Sequence, residues 1–218
     1  LSAALVAVAA AGPAAGAVPQ RDDYASIFSD GSLVGAGWAT CPDAIVWDAD
    51  VTKLSARAGK FALSDLEWAI GEWAKAAGIA VRRGSVGQLT YDNASSVVSG
   101  PGGGRKLFVK FVPDKESKYL SGRVVGVATP TRVIPQAPEI TGGSAAFRSD
   151  YVEYASKSES RALLLHEIGH ALGLGHSGSK SSVMYPIVSN TMTLSPADIA
   201  GIKAFTKACD PSLDSMRR

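Results

Sequence analysis

The sequence predicts an α+β domain, and three observations carry that reading. Read along the chain, the candidate elements run strand, helix, several strands, helix, helix, which is the order of a domain that segregates helices from a sheet. The composition suits a single packed core: 218 residues with 46% hydrophobic and 19% charged side chains are too apolar for a disordered chain. All three histidines fall within one stretch, His166 to His176, at the end of a predicted helix, so the chemistry is concentrated in one place. Twenty-two Lys+Arg against 20 Asp+Glu leave a net charge of +2, which argues against nucleic acid or an acidic polymer as partner. Two cysteines exclude a disulfide-dense scaffold and a four-cysteine zinc cluster.

The first 17 residues are uncharged and rich in Ala, Val and Gly, ending in Ala15-Gly16-Ala17. This reads as the remnant of a secretory signal peptide, cut after Ala17, and the mature protein is expected to be secreted and free of the membrane. Residues 18–40 read as a short leader, 41–210 as the domain, and 211–218 as a tail. Ala44 to Trp47 is a short apolar run that predicts a first strand. Ser64-Asp65-Leu66-Glu67 has the form of a capping box; Leu66, Ala69, Ile70, Trp73 and Ala77 follow at helical spacing, and Gly78 closes a helix over 64–77. Ile79 to Arg82 resumes as a strand, and the glycine-rich 99–104 is a loop. Lys106 to Val112 predicts a strand with one face better buried, Arg123 to Thr129 another, and Ser144 to Arg148 a weaker one. Ser160 to Leu172 predicts a helix ending at Gly173, and Ser195 to Ala208 a last helix with Pro196 at its first turn.

The stretch His166-Glu167-Ile168-Gly169-His170-Ala171-Leu172-Gly173-Leu174-Gly175-His176 points to metal chemistry. His166 and His170 are four apart on a helix, so both imidazoles leave the same face. His176 reaches the same ion only if the chain leaves the helix and turns back, which Gly173 permits because a left-handed residue at a helix end needs no Cβ. Three protein ligands leave one position for water, the catalytic rather than the structural arrangement of zinc. Glu167, beside the first ligand, is the candidate general base: it would hold the zinc-bound water, take its proton and pass it to the leaving amine.

HEIGHALGLGH resembles the HExxHxxGxxH signature of the metzincin metallopeptidases. Ser177 after the third histidine, and Ser182-Val183-Met184-Tyr185-Pro186 further on, resemble the matrixin branch with its Met-turn. Leu194 to Ile199 resembles the start of the matrixin C-terminal helix, with Ala197 where family members usually carry a first acid, so Asp198 alone is left as an anchor. The resemblance implies a twisted, mostly parallel five-stranded sheet, an active-site helix, and a small, mainly irregular C-terminal subdomain ending in a helix. It implies one catalytic zinc on His166, His170 and His176, an apolar floor at Met184, and a substrate pocket wall of Pro186, Ile187 and Val188. An extended peptide or protein substrate would lie on an edge strand at 123–129. There is no fourth histidine, so a second, structural zinc finds no imidazole here, and no EF-hand-type spacing indicates calcium. The whole reads as a minimal, secreted, bacterial-type zinc endopeptidase, expected to be monomeric. The alternatives are an amidase acting on cell-wall peptides and a non-catalytic peptide-binding module on the same fold.

Cys41 and Cys209 bracket the predicted domain. An oxidising compartment and one even pair predict a disulfide, which would stabilise by roughly 5 kcal/mol in the chain-entropy model. The alternative is a Cys41 thiolate capping the zinc in a latent form, by resemblance to the matrixin propeptide cysteine.

Overall fold

A computed structural model describes residues 36–40, 43–134 and 139–208, and besides these residues 5–6, 27 and 212. Along the chain the strands and helices are β1 (Leu5–Val6), β2 (Gly37–Ala39), β3 (Ile45–Asp50), α1 (Ala56–Ala77), β4 (Val81–Val86), β5 (Thr90–Asp92), β6 (Val97–Ser99), β7 (Lys106–Val112), β8 (Gly126–Ile134) and β9 (Glu139–Arg148). They continue with α2 (Ser149–Tyr154), α3 (Lys157–Ala171), β10 (Ile187–Val188), α4 (Pro196–Ala204) and β11 (Thr206–Lys207). The signal-peptide reading of 1–17 falls outside the described residues except for β1, which pairs antiparallel with β10. No described helix is long and apolar enough to cross a membrane.

The expected five-stranded sheet is present in the order β8-β9-β7-β3-β4. Its members run parallel except β8, which pairs antiparallel with β9. Two short strands extend it: β2 continues parallel along the start of β9, and β11 pairs parallel with β2. Gly37–Ala39 therefore belongs to the sheet rather than to a loose leader, with Trp38 fully buried. β11 takes the place of the final turn expected of the last helix, which ends at Ala204 instead of Ala208.

Helices α1 and α3 cover one face of the sheet. Trp47 from β3, Trp73 from α1 and Leu163 and Leu164 from α3 share the main apolar core. The other face carries a smaller cluster in which Val98, Phe108, Leu120 and Val127 meet, so both faces of the central strands are covered. That is why Lys106–Val112 reads only partly as an alternating strand: Phe108 is buried too. Asp48 and Asp50, buried on β3, face Lys106 and Lys110 of β7 as ion pairs. Asp48 Oδ1 accepts from Ser85 N–H, and Asp50 Oδ2, the oxygen that meets Lys110, also accepts from Leu89 N–H, which ties down the end of β4 and the chain after it. Burial alone would raise the Asp50 pKa, but the bonds from Leu89, Lys110 and Thr52 hold it below the ordinary carboxylate value.

Helix α1 begins eight residues before the expected Ser64. Ser55 is the N-cap, its side chain accepting from Ala58 N–H, while Ser64 lies in the helix interior. The capping-box pattern at 64–67 is a coincidence of composition, because the preceding turns, Ala56 to Leu63, hold good helix formers and one tolerated Gly59. Gly78 ends the helix in the left-handed conformation, as expected (φ 70°). Helix α3 likewise starts earlier than Ser160, with Ser156 and Glu159 forming a full capping box. Strand 79–82 lies instead at 81–86, strand 123–129 at 126–134, and strand 144–148 extends back to 139.

The capping assignment has a direct check. Ser55→Ala removes a side-chain cap and should cost about 1 kcal/mol in denaturant unfolding, while Ser64→Ala should be neutral within about 0.5 kcal/mol. Equal costs at the two positions would contradict the observed helix start.

Candidate metal centre

Helix α3 delivers His166 and His170 from one face, both fully buried. After Leu172 the chain turns through Gly173, whose φ of +107° is unfavourable for any residue with a Cβ, and brings His176 back over the helix end. The three imidazoles then face one another, each offering a nitrogen within 4.8 Å of the others. His166 Nε2 and His170 Nε2 are 3.0 Å apart.

The tautomers follow from what surrounds the rings. His166 Nδ1 lies 2.6 Å from the Val183 carbonyl and His170 Nδ1 lies 2.7 Å from the Leu174 carbonyl. A carbonyl can only accept, so both Nδ1 atoms carry the proton and both Nε2 atoms present lone pairs. Burial pushes His166 down to about 4, against a smaller rise from the Val183 bond. Burial, followed by the neighbouring imidazoles, pushes His170 well below its ordinary value. Burial lowers His176 as well. Neutral rings with lone pairs 3.0 Å apart cannot hydrogen-bond to each other, and His176 Nε2 is buried with no partner. A shared cation resolves all three. Two nitrogens bound to one tetrahedral zinc at 2.0–2.1 Å stand about 3.3 Å apart, close to the separation present. The donor set, three neutral imidazoles converging on one point, fits zinc in kind and in the spacing of its two helical members.

Glu167 is fully buried, and neither carboxylate oxygen has a hydrogen-bond partner among the described residues. Burial raises its pKa well above the ordinary value. Met184, nearly inaccessible, has its sulfur packed against Gly169 between the two helical ligands. Asp198 holds this turn in place. It accepts from Ser182 Oγ at 2.5 Å, Val183 N–H at 3.1 Å and Ser195 N–H at 2.8 Å, so one carboxylate both caps α4 and fixes the carbonyl that orients His166. Trp73 of α1 donates its indole N–H to the Leu165 carbonyl at 2.7 Å, one residue before the first ligand. Pro186, Ile187 and Val188 follow the turn, the last two as β10. The two orienting carbonyls and the Trp73 bond are not legible in the sequence, because backbone acceptors carry no side-chain signature.

Two buried imidazoles on one helix and a third, part-buried, returned by a glycine turn and floored by a methionine, under a mostly parallel sheet, define a metzincin-type zinc centre. The Matrixin (Peptidase M10) family model matches residues 64–206, and the chain belongs to the matrixin family. It is 44% identical to matrilysin of Rattus norvegicus over 71 residues, which are 28% of this chain and 26% of that protein. It is 37% identical to matrix metalloproteinase-19 of Homo sapiens over 100 residues, 41% of this chain and 18% of that protein. The chain thus spans about a quarter or less of the length of these relatives.

The buried rings set the pH behaviour of the metal-free protein. Unfolded imidazoles take protons near pH 6.5, whereas His166 resists until about 4. The folded state therefore binds fewer protons, and stability falls as pH drops below about 6.5. Glu167 works in the opposite sense, since its raised pKa stabilises the fold most at low pH and that contribution is lost as pH rises. Three imidazoles against one carboxyl leave a net loss on acidification. The melting temperature of the metal-free protein should fall from pH 7 to pH 5, and more steeply in Glu167→Gln. A flat or rising profile would contradict neutral, buried ligands.

Proposed function

We propose that this chain is a zinc-dependent endopeptidase that acts on extended segments of protein substrates outside the cell. The observation that supports it most is the pairing of two unlike orphans: imidazole lone pairs that need a cation, and a buried carboxylate with no partner next to them in sequence. His166, His170 and His176 would hold the zinc. Zinc bound there supplies Lewis acidity, polarising the scissile carbonyl and making a water acidic enough to attack near neutral pH. Glu167 takes the proton from the attacking water and delivers it to the leaving amine. Burial raises its pKa above the ordinary carboxylate value, the direction that makes it a stronger base.

Substrate placement draws on β8. This strand has β9 on one side and no described strand on the other, so its outer edge offers backbone groups for an extended peptide. The side chain following the scissile bond would sit beside Pro186, Ile187 and Val188. Pairing of β10 with β1 supports this reading, since it is the backbone of the wall segment that accepts an extended partner. The apolar segment at 1–17 supports export in this reading.

Glu167→Ala is expected to bind zinc and fold normally but to lose about 10²–10⁴-fold in turnover of casein or a quenched peptide. Chelation should abolish wild-type cleavage and added zinc restore it. Binding of peptides without cleavage would favour the binding-module reading, and near-normal turnover in Glu167→Ala would refute the role of that residue.

We also propose that Cys41 and Cys209 are joined as a disulfide. Both lie outside the described residues, but their described neighbours are already tied together. Ala39 stands opposite Lys207 in the β2–β11 register, and Thr40 N–H donates to the Lys207 carbonyl at 2.7 Å. Thiol titration of the unfolded, unreduced protein should find no free thiol. Two free thiols per chain would refute the bond, and activation by thiol-modifying reagents would point to a latency switch instead.

A further inference from the structure

Gly126, the first residue of β8, stands out because its backbone does not require glycine. Its φ is not positive, unlike that of Gly78, Gly102, Gly104, Gly122 and Gly173. It pairs in regular antiparallel register with Phe147 of β9. In such a strand a residue with a side chain is ordinarily the better choice, since glycine costs conformational entropy and packs nothing. What excludes a side chain is Glu167. A Cβ at position 126 would lie 2.6 Å from Glu167 Cγ, 2.7 Å from Oε1 and 2.8 Å from Cδ.

We propose that Gly126 is a positioning residue: the bare backbone of β8 is the wall that fixes the Glu167 carboxylate. The case rests on two facts together. Glu167 has no hydrogen bond from any described residue to hold its head group, so packing sets its orientation within the protein. It is also fully buried, so its head group lies among packed neighbours rather than in solvent. A methyl at 126 would therefore shift the carboxylate bodily. Misplacing a reacting group by about 1 Å can cost on the order of 10²-fold in rate. The same arrangement places the strand that offers its edge to the substrate directly against the base, with no side chain between them.

This inference rests on the proposed role of Glu167, and the test separates the two. Gly126→Ala is made in the wild-type and in the Glu167→Ala background, and both pairs are measured for turnover, zinc content and melting temperature. In the wild-type background kcat should fall about 10²-fold, with KM changed less than about threefold and one zinc retained. The melting temperature should fall in the wild-type background but hold or rise in the Glu167→Ala background, where the contact is gone and alanine suits the strand better. Loss of folding confined to the wild-type background supports the contact equally. An unchanged kcat, or the same loss of melting temperature in both backgrounds, overturns the proposal. If Glu167→Ala itself stays active while the stability coupling persists, the contact stands and the role of Glu167 as base falls.

Discussion

Two hydrogen bonds from ring nitrogen to backbone carbonyl govern this molecule: His166 Nδ1 to Val183 and His170 Nδ1 to Leu174. Each fixes a tautomer, and the fixed tautomers turn two lone pairs toward each other in a buried place. Such a pair is repulsive until a cation sits between, so the folded chain is built around an interaction it cannot complete alone. The acceptors come from the two irregular segments after the catalytic helix. This is why those segments, poor in secondary structure, are held so closely by the buried carboxylate of Asp198 and by the Ser177 N–H bond to the Met184 carbonyl at 2.9 Å.

The rest of the fold supplies rigidity to that geometry. Gly169 leaves room on α3 for both the Met184 sulfur and the edge of the Trp73 ring, so the Met-turn and α1 reach the helix at the same level as the ligands. Trp73 couples α1 to the backbone just before His166. On the far side, β8 lies against Glu167 through Gly126. The base is thus set by shape and the ligands by hydrogen bonds. An enclosed carboxylate bonded to strong donors would have a lowered pKa and be a poor base. Held by packing, it accepts no such bond from the described residues, and burial raises its pKa instead.

The sequence made the site more legible than the frame around it. Histidine spacing and the glycine at the eighth position of the stretch, Gly173, specify helix, break and return, and the structure follows them. The starts of α1 and α3 were misplaced because several serines precede each apolar run, and the choice between caps depends on tertiary partners such as Glu153, which bonds Ser55. The strands Gly37–Ala39 and Thr206–Lys207 escaped notice because two or three residues have no readable period; only their meeting, from opposite ends of the chain, makes them strands. The burial of Asp48 and Asp50 leaves no local mark in the sequence, since the lysines that satisfy them lie about sixty residues away. Gly126 carried no signal at all, because its reason is a side chain on another element.

The central claim is that three neutral imidazoles share one zinc ion in this fold. X-ray absorption at the zinc K edge of the purified, zinc-loaded protein tests it most directly. The account predicts a first shell of three imidazole nitrogens and one further light atom at about 2.0–2.1 Å. A sulfur scatterer near 2.3 Å, or fewer than three imidazoles around the metal, would contradict it.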